Sequence, residues 1–133
     1  MLLIKTIVKK SNIHGQGLFA DENIKKGQAM WKFNNILDKK IGKKEFAKLP
    51  ALVKQFVKYY SYLNRQNEYV LCGDDARYIN HLDKPNTEDK ISKQDRINGD
   101  EGITVAVKNI KKGEEITSAY LYFDKKGNPK YLI

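Results

Sequence analysis

Arg77-Tyr78-Ile79-Asn80-His81-Leu82-Asp83-Lys84-Pro85-Asn86 is the stretch on which the reading of this sequence turns. It is polar and irregular, with a proline and two asparagines of the kind that reverse a chain. Asn80 and His81 set an amide beside an imidazole in an otherwise apolar local context. Together they present donors and acceptors either to a ligand, such as a purine edge, or to buried backbone. A lone histidine is more often structural than catalytic, so the segment alone does not decide.

Two other stretches carry the same double reading. Ser11-Asn12-Ile13-His14-Gly15-Gln16-Gly17-Leu18-Phe19-Ala20 places two glycines around one residue, which lets backbone approach a ligand closely. It lacks the third glycine and the following helix of a dinucleotide fingerprint, and in isolation it reads as a plain turn. Gly113-Glu114-Glu115-Ile116-Thr117-Ser118-Ala119-Tyr120-Leu121-Tyr122-Phe123 reads as a strand with Tyr120 and Tyr122 on one side. Those phenols either line a narrow polar channel or are ordinary half-buried tyrosines.

In their order, the three stretches resemble the SET-domain protein lysine methyltransferases. Residues 13–20 look like that family's early Gly-x-Gly segment. Residues 77–86 are similar to its Arg-Phe-Ile-Asn-His-Ser-x-x-Pro-Asn motif, and residues 113–120 to Gly-Glu-Glu-Leu-Thr-x-x-Tyr. Tyr122 matches a second tyrosine present in some members. The resemblance runs from about Lys5 to Phe123 and is closest to minimal, single-domain bacterial or viral members.

That resemblance implies a mainly β fold with a short helical insert, a β-clip-like set of small sheets closed by a C-terminal pseudoknot. It implies methyl transfer from S-adenosylmethionine to a protein lysine ε-amine, leaving S-adenosylhomocysteine. Tyr120 and Tyr122 are then the catalytic candidates. His14, Gly15, Gln16, Gly17, Arg77, Asn80, His81 and Tyr120 are the cofactor-binding candidates, with Arg77 bracing its segment. A lysine with a pKa near 10.4 is only about 0.1% neutral at physiological pH. A sulfonium about 4 Å away, at an effective dielectric near 20, opposes the ammonium by about 4 kcal/mol, or roughly three pKa units. No general base is then required.

The match has departures. Leu82 stands where the family has serine, Ala119 where many members have aspartate, and Ser118 at an often aromatic position. The cysteine-rich tail of many members is absent, so Phe123 and residues 131–133 are expected to close the channel by packing.

The rest of the chain fits one domain over residues 1–133, with a helical insert at about 43–63 and a closing segment at about 121–133. Hydrophobic residues make up 41% of the 133, enough for a core, and 31% are charged. No run approaches the roughly 20 apolar residues of a membrane span. One cysteine, Cys72, and two histidines exclude an internal disulfide and argue against a metal centre. Without an export signal, the expected location is cytoplasmic. Short strands are predicted at 3–9, 28–33, 69–71, 103–107 and 115–122, and a helix from Pro50 to about Leu63. Residues 86–102 read as a charged loop. Asn23-Ile24-Lys25-Lys26-Gly27 recurs as Asn109-Ile110-Lys111-Lys112-Gly113, which reads as two similar hairpin turns.

The net charge of +9 favours acidic partners. The expected partner is a protein with an exposed lysine, with non-specific contact to nucleic acid or another acidic surface. Asp74, Asp75 and Asp83 are candidates to steer a basic substrate. The alternatives are a catalytically silent SET-like module that binds a protein tail and a basic nucleic-acid binder. Neither a recognition-helix motif nor an aromatic RNA-binding signature supports the latter.

Overall fold

The computed structural model of this protein describes residues 1–119. The expected channel tyrosines Tyr120 and Tyr122, and the closing segment at 121–133, lie outside the described residues. In chain order the elements begin with β1 (Thr6–Lys10), β2 (Gln16–Ala20), β3 (Ala29–Lys32) and β4 (Lys39–Ile41). Helices α1 (Lys43–Ala47) and α2 (Ala51–Tyr60) follow, then β5 (Tyr62–Leu63), β6 (Tyr69–Leu71) and a 3-10 turn at Asp75–Tyr78. The last described elements are β7 (Asn80–His81), β8 (Thr87–Lys90), α3 (Lys93–Asn98), β9 (Ile103–Ala106) and β10 (Glu115–Ser118).

These strands form three small sheets, ordered β1-β2-β10-β7, β3-β9-β8 and β4-β6-β5. In the first, β2 runs antiparallel to both β1 and β10, while β10 lies parallel to β7 with Thr117 opposite Asn80. Alternation along β2 turns Leu18 and Ala20 inward, where they meet Ile116 of β10. Ile24, Met30, Ala106 and Ile110 complete that core. A second apolar cluster holds Trp31, Cys72 and Ala76. Burial first, then the Asp38 and Asp74 carboxylates, pushes the Cys72 thiol up to about 12, so it stays protonated and unreactive.

The repeated Asn-Ile-Lys-Lys-Gly segments are turns, as expected, but they also pair with each other. Ile24 and Ile110 exchange both backbone hydrogen bonds, each at 2.8 Å. Lys26 N–H donates to Asn109 Oδ1 at 2.9 Å, and Lys112 N–H donates to Asn23 Oδ1 at 3.0 Å. Gly27 and Gly113 take φ of +84° and +94°, and each sends its N–H to an alanine carbonyl, Ala106 or Ala20, at 2.7 Å. Glycine is the residue that adopts this φ without a Cβ clash. The two turns thereby bring the strand leading into β3 and the strand β10 into one core.

Two expectations change. The predicted helix from Pro50 stops at Tyr60, because residues 62–63 pair with β6 as β5. Its apolar face is only partly covered: Val57 is buried, whereas Val53 and Phe56 are 40% and 42% exposed. Residues 86–102, read as a loop for want of apolar periodicity, hold β8 and α3. Pairing to β9 makes the strand, and a capping box makes the helix: Ser92 Oγ accepts from Asp95 N–H, while the Asp95 carboxylate accepts from Ser92 N–H. No helix of the described residues is long and apolar enough to cross a membrane.

Candidate active site

The loop at 11–15 is shaped by its first residue. Ser11 N–H donates to the Gly15 carbonyl at 2.8 Å, and Ser11 Oγ accepts from Ile13 N–H at 2.9 Å. Gly15 completes the turn at a φ of +44°. The loop offers the carbonyls of His14 and Gln16 to one side chain, Asn80 of β7. Asn80 Nδ2 donates to them at 3.0 and 3.1 Å and to Glu115 Oε2 at 3.2 Å. Three acceptors at one end fix the amide's orientation, since only its nitrogen suits them. The other end, Oδ1, is buried and has no hydrogen-bond partner among the described residues.

Glu115 explains why residue 17 has no side chain. Its carboxylate lies over Gly17, where a Cβ would sit 2.9 Å from Glu115 Cδ and Oε2 and 3.0 Å from Ser11 Cβ. Both carboxylate oxygens also receive the Ser11 hydroxyl, at 2.6 and 3.0 Å. A close approach does require this glycine, but the group that approaches is a side chain of the protein.

On its opposite side β10 is held by the end of the 77–86 segment. Asn86 Nδ2 donates to the Glu115 carbonyl at 2.8 Å, and Asn86 Oδ1 accepts from Thr117 N–H at 2.9 Å. Thr87 Oγ1 donates to the Thr117 carbonyl at 2.6 Å. Leu82 N–H donates to the Ser118 carbonyl at 3.1 Å. The third segment therefore runs between residues 80–87 and β2, which joins all three sequence stretches in one place.

Of the expected cofactor-binding residues, this junction gathers His14, Gln16, Gly17 and Asn80, with Gly15 in the loop beside them. His81 is on the same strand, and its Nε2 lies 3.0 Å from Asp83 Oδ1. The Arg77 guanidinium lies 5.7 Å from the Phe56 ring and 5.8 Å from the Tyr60 ring. It braces the 3-10 turn against α2. Two of the expected steering carboxylates are engaged, Asp74 with Leu2 N–H at 2.7 Å and Asp83 with His81. Ser11, Glu115 and Asn86 join the site; all three lie in the quoted stretches, but none was assigned a role there. The available signal for Glu115 was its phase on β10, which shares a side with Thr117.

A family model described as the SET domain matches residues 15–121. This chain belongs to the SET-domain family. The SET domain here is 28% identical over 127 residues to human histone-lysine N-methyltransferase 2B; the match covers 86% of this chain and 4% of the human protein. Among solved structures it is similar to a Plasmodium falciparum protein described as a candidate histone methyltransferase. That match has 27% identity and a TM-score of 0.61, and covers 90% of this chain and 95% of that one. It is also similar to a chain of Chaetomium thermophilum Polycomb repressive complex 2 in a structure bound to S-adenosylmethionine. There the identity is 27% and the TM-score 0.62, over 90% of this chain and 16% of the other. The small sheets with few helices are thus those of SET-domain methyltransferases.

Proposed function

We propose that this SET domain transfers a methyl group from S-adenosylmethionine to a lysine ε-amine of a protein. The observation that carries the reading is Asn80 Oδ1, a buried acceptor without a partner, held at the junction of all three motifs. A buried polar atom left unpaired costs about 1–3 kcal/mol, and the convergence of three motifs on this one favours a donor binding there. The amino-acid end of S-adenosylmethionine brings such a donor, its α-ammonium, and the chain's residues fit that group. The human relative is a histone-lysine methyltransferase, and a Polycomb relative was solved with S-adenosylmethionine, which supports the same class.

When bound, the cofactor supplies an electrophilic methyl on a sulfonium. The chain's own residues bind and orient. The loop at 14–17 holds the amino-acid end, with Asn80 Oδ1 as acceptor and the His14 and Gln16 carbonyls fixing the amide behind it. His81, nine-tenths buried, lines the same strand end. By the resemblance, Tyr120 orients the incoming amine and Tyr122 is a second wall of its channel. The lysine-bearing turns at 25–26 and 111–112 are exposed and suit an acidic surface near the substrate.

The test is transfer of a labelled methyl from S-adenosylmethionine to proteins of a cell extract by the full chain, with the labelled residue identified by mass spectrometry. Labelled lysine is expected with wild type, and Tyr120→Phe should lower the rate about a hundredfold by misplacing the amine. Absence of cofactor binding by wild type would overturn the reading.

A further inference from the structure

We propose that Glu115 is a positioning residue: with the His14 and Gln16 carbonyls, its carboxylate holds the Asn80 amide with Oδ1 outward, and so selects ligands bearing an α-ammonium. This rests on the reading of the junction as a cofactor cradle. Glu115 faces a donor at each end, the Ser11 hydroxyl at 2.6 Å and Asn80 Nδ2 at 3.2 Å. Ser11 Oγ accepts from Ile13 N–H at 2.9 Å and gives its one hydrogen to Glu115, because a carboxylate only accepts.

A carboxylate accepts at both ends, whereas a carboxamide must turn a donor to one of them. A glutamine nitrogen turned to Asn80 would force that amide to rotate. Oδ1 would then face the His14 and Gln16 carbonyls, and an N–H would face the ligand. A glutamine nitrogen turned to Ser11 would release the hydroxyl that shapes the loop. Charge acts in the same sense. Among the described residues no lysine or arginine forms an ion pair with Glu115. A half-buried anion behind the amide favours a cation in front of it. Glu115 acts through Asn80 and is not itself a catalytic residue.

Calorimetric titration of the full chain with S-adenosylhomocysteine and with 5′-methylthioadenosine tests this, because the second ligand lacks the amino-acid end. Wild type should prefer the first. Glu115→Gln should weaken S-adenosylhomocysteine about tenfold and 5′-methylthioadenosine less than about twofold, the size expected for one hydrogen bond to a charged group. Glu115→Asp should recover part of the loss, and Glu115→Gln added to Asn80→Ala should cost nothing further. Without any ligand, the Asn80 side-chain amide protons should exchange slowly with solvent in wild type and faster in Glu115→Gln. Should Glu115→Gln fail to fold, Ser11→Ala removes one donor to the same carboxylate and should show the same pattern at smaller size.

Equal losses for both ligands, additive losses with Asn80→Ala, or an unchanged amide would overturn the proposal. A wild type that binds both ligands equally overturns it and the acceptor role of Asn80 Oδ1, while cofactor binding as such stands. A wild type that binds neither removes that reading and this inference together.

Discussion

Two asparagine–glutamate pairs use the same groups to opposite ends. Beside the β4-β6-β5 sheet, Glu101 accepts from the Tyr62 hydroxyl at 2.6 Å and from Asn64 Nδ2 at 3.3 Å, with Lys40 Nζ at 3.5 Å. Asn64 is satisfied at both ends, since its Oδ1 accepts from Gln66 and Glu68 N–H at 3.0 and 2.9 Å. At the motif junction, Glu115 likewise accepts from Asn80 Nδ2, but Asn80 Oδ1 accepts from nothing described. The closed network ties the β4-β6-β5 sheet to the start of β9. The open one leaves a buried acceptor unpaired, which the proposed reading assigns to the cofactor's α-ammonium. An orphan alone is not sufficient: Trp31 Nε1 is also buried without a partner, yet it sits in an apolar cluster. The convergence of three segments on one amide makes the difference.

The contrast is broken most severely at Glu101. Glu101→Ala strips the acceptor from Tyr62, Asn64 and Lys40 together, and should lower stability to urea by about 2–3 kcal/mol. Ligand affinity of the folded fraction should not change, as read by titration with S-adenosylhomocysteine. Asn64→Ala and Asn80→Ala give the sharper comparison. The first should lower the melting temperature with affinity unaltered; the second should weaken S-adenosylhomocysteine about tenfold or more. Equal loss of affinity in both variants would erase the distinction between the networks.

Gly17→Ala comes next. Its methyl would press on the Glu115 carboxyl and Ser11 Cβ, which must shift by several tenths of an ångström. Overpacking of this kind costs about 1–3 kcal/mol. The displaced carboxylate should also weaken S-adenosylhomocysteine, so the melting curve and the titration should move together.

Three ordered motifs were legible in the sequence, and the structure brings Asn80 and the 14–17 backbone of two of them together. Glu115 escaped because its partner Ser11 lies 104 residues away, and only the β2-β10 pairing brings the two together. The same limit hid β8, whose residues Thr87–Lys90 are strand through pairing with β9 and not through apolar alternation. Arg77 sets its guanidinium over the Phe56 and Tyr60 rings of α2, a contact that only the packing of the 3-10 turn against the helix supplies. The Asn-Ile-Lys-Lys-Gly echo was plain in the sequence, but mutual pairing of the two copies is a tertiary fact.

The smallest expected effect lies beside the closed network. Asp89 of β8 accepts from Thr104 Oγ1 at 2.7 Å. Burial holds its carboxyl above the usual carboxylate range, with the Glu101 charge adding to the rise and the Thr104 bond and Arg65 opposing it. The folded protein therefore keeps this proton to higher pH than the unfolded chain, whose aspartate releases it near 3.9. Between those two points the native state binds more protons, so raising the pH lowers stability across that window and no further above it. Asp89→Asn retains an acceptor for Thr104 and cannot ionise. It should be more stable than wild type in urea at pH 7, and the gap should close as the pH falls below about 4. A gap that persists at low pH would mean that the substitution acts through packing instead of charge. Ligand affinity at pH 7 should be unchanged, because Asp89 bonds Thr104 and takes no part in the motif junction.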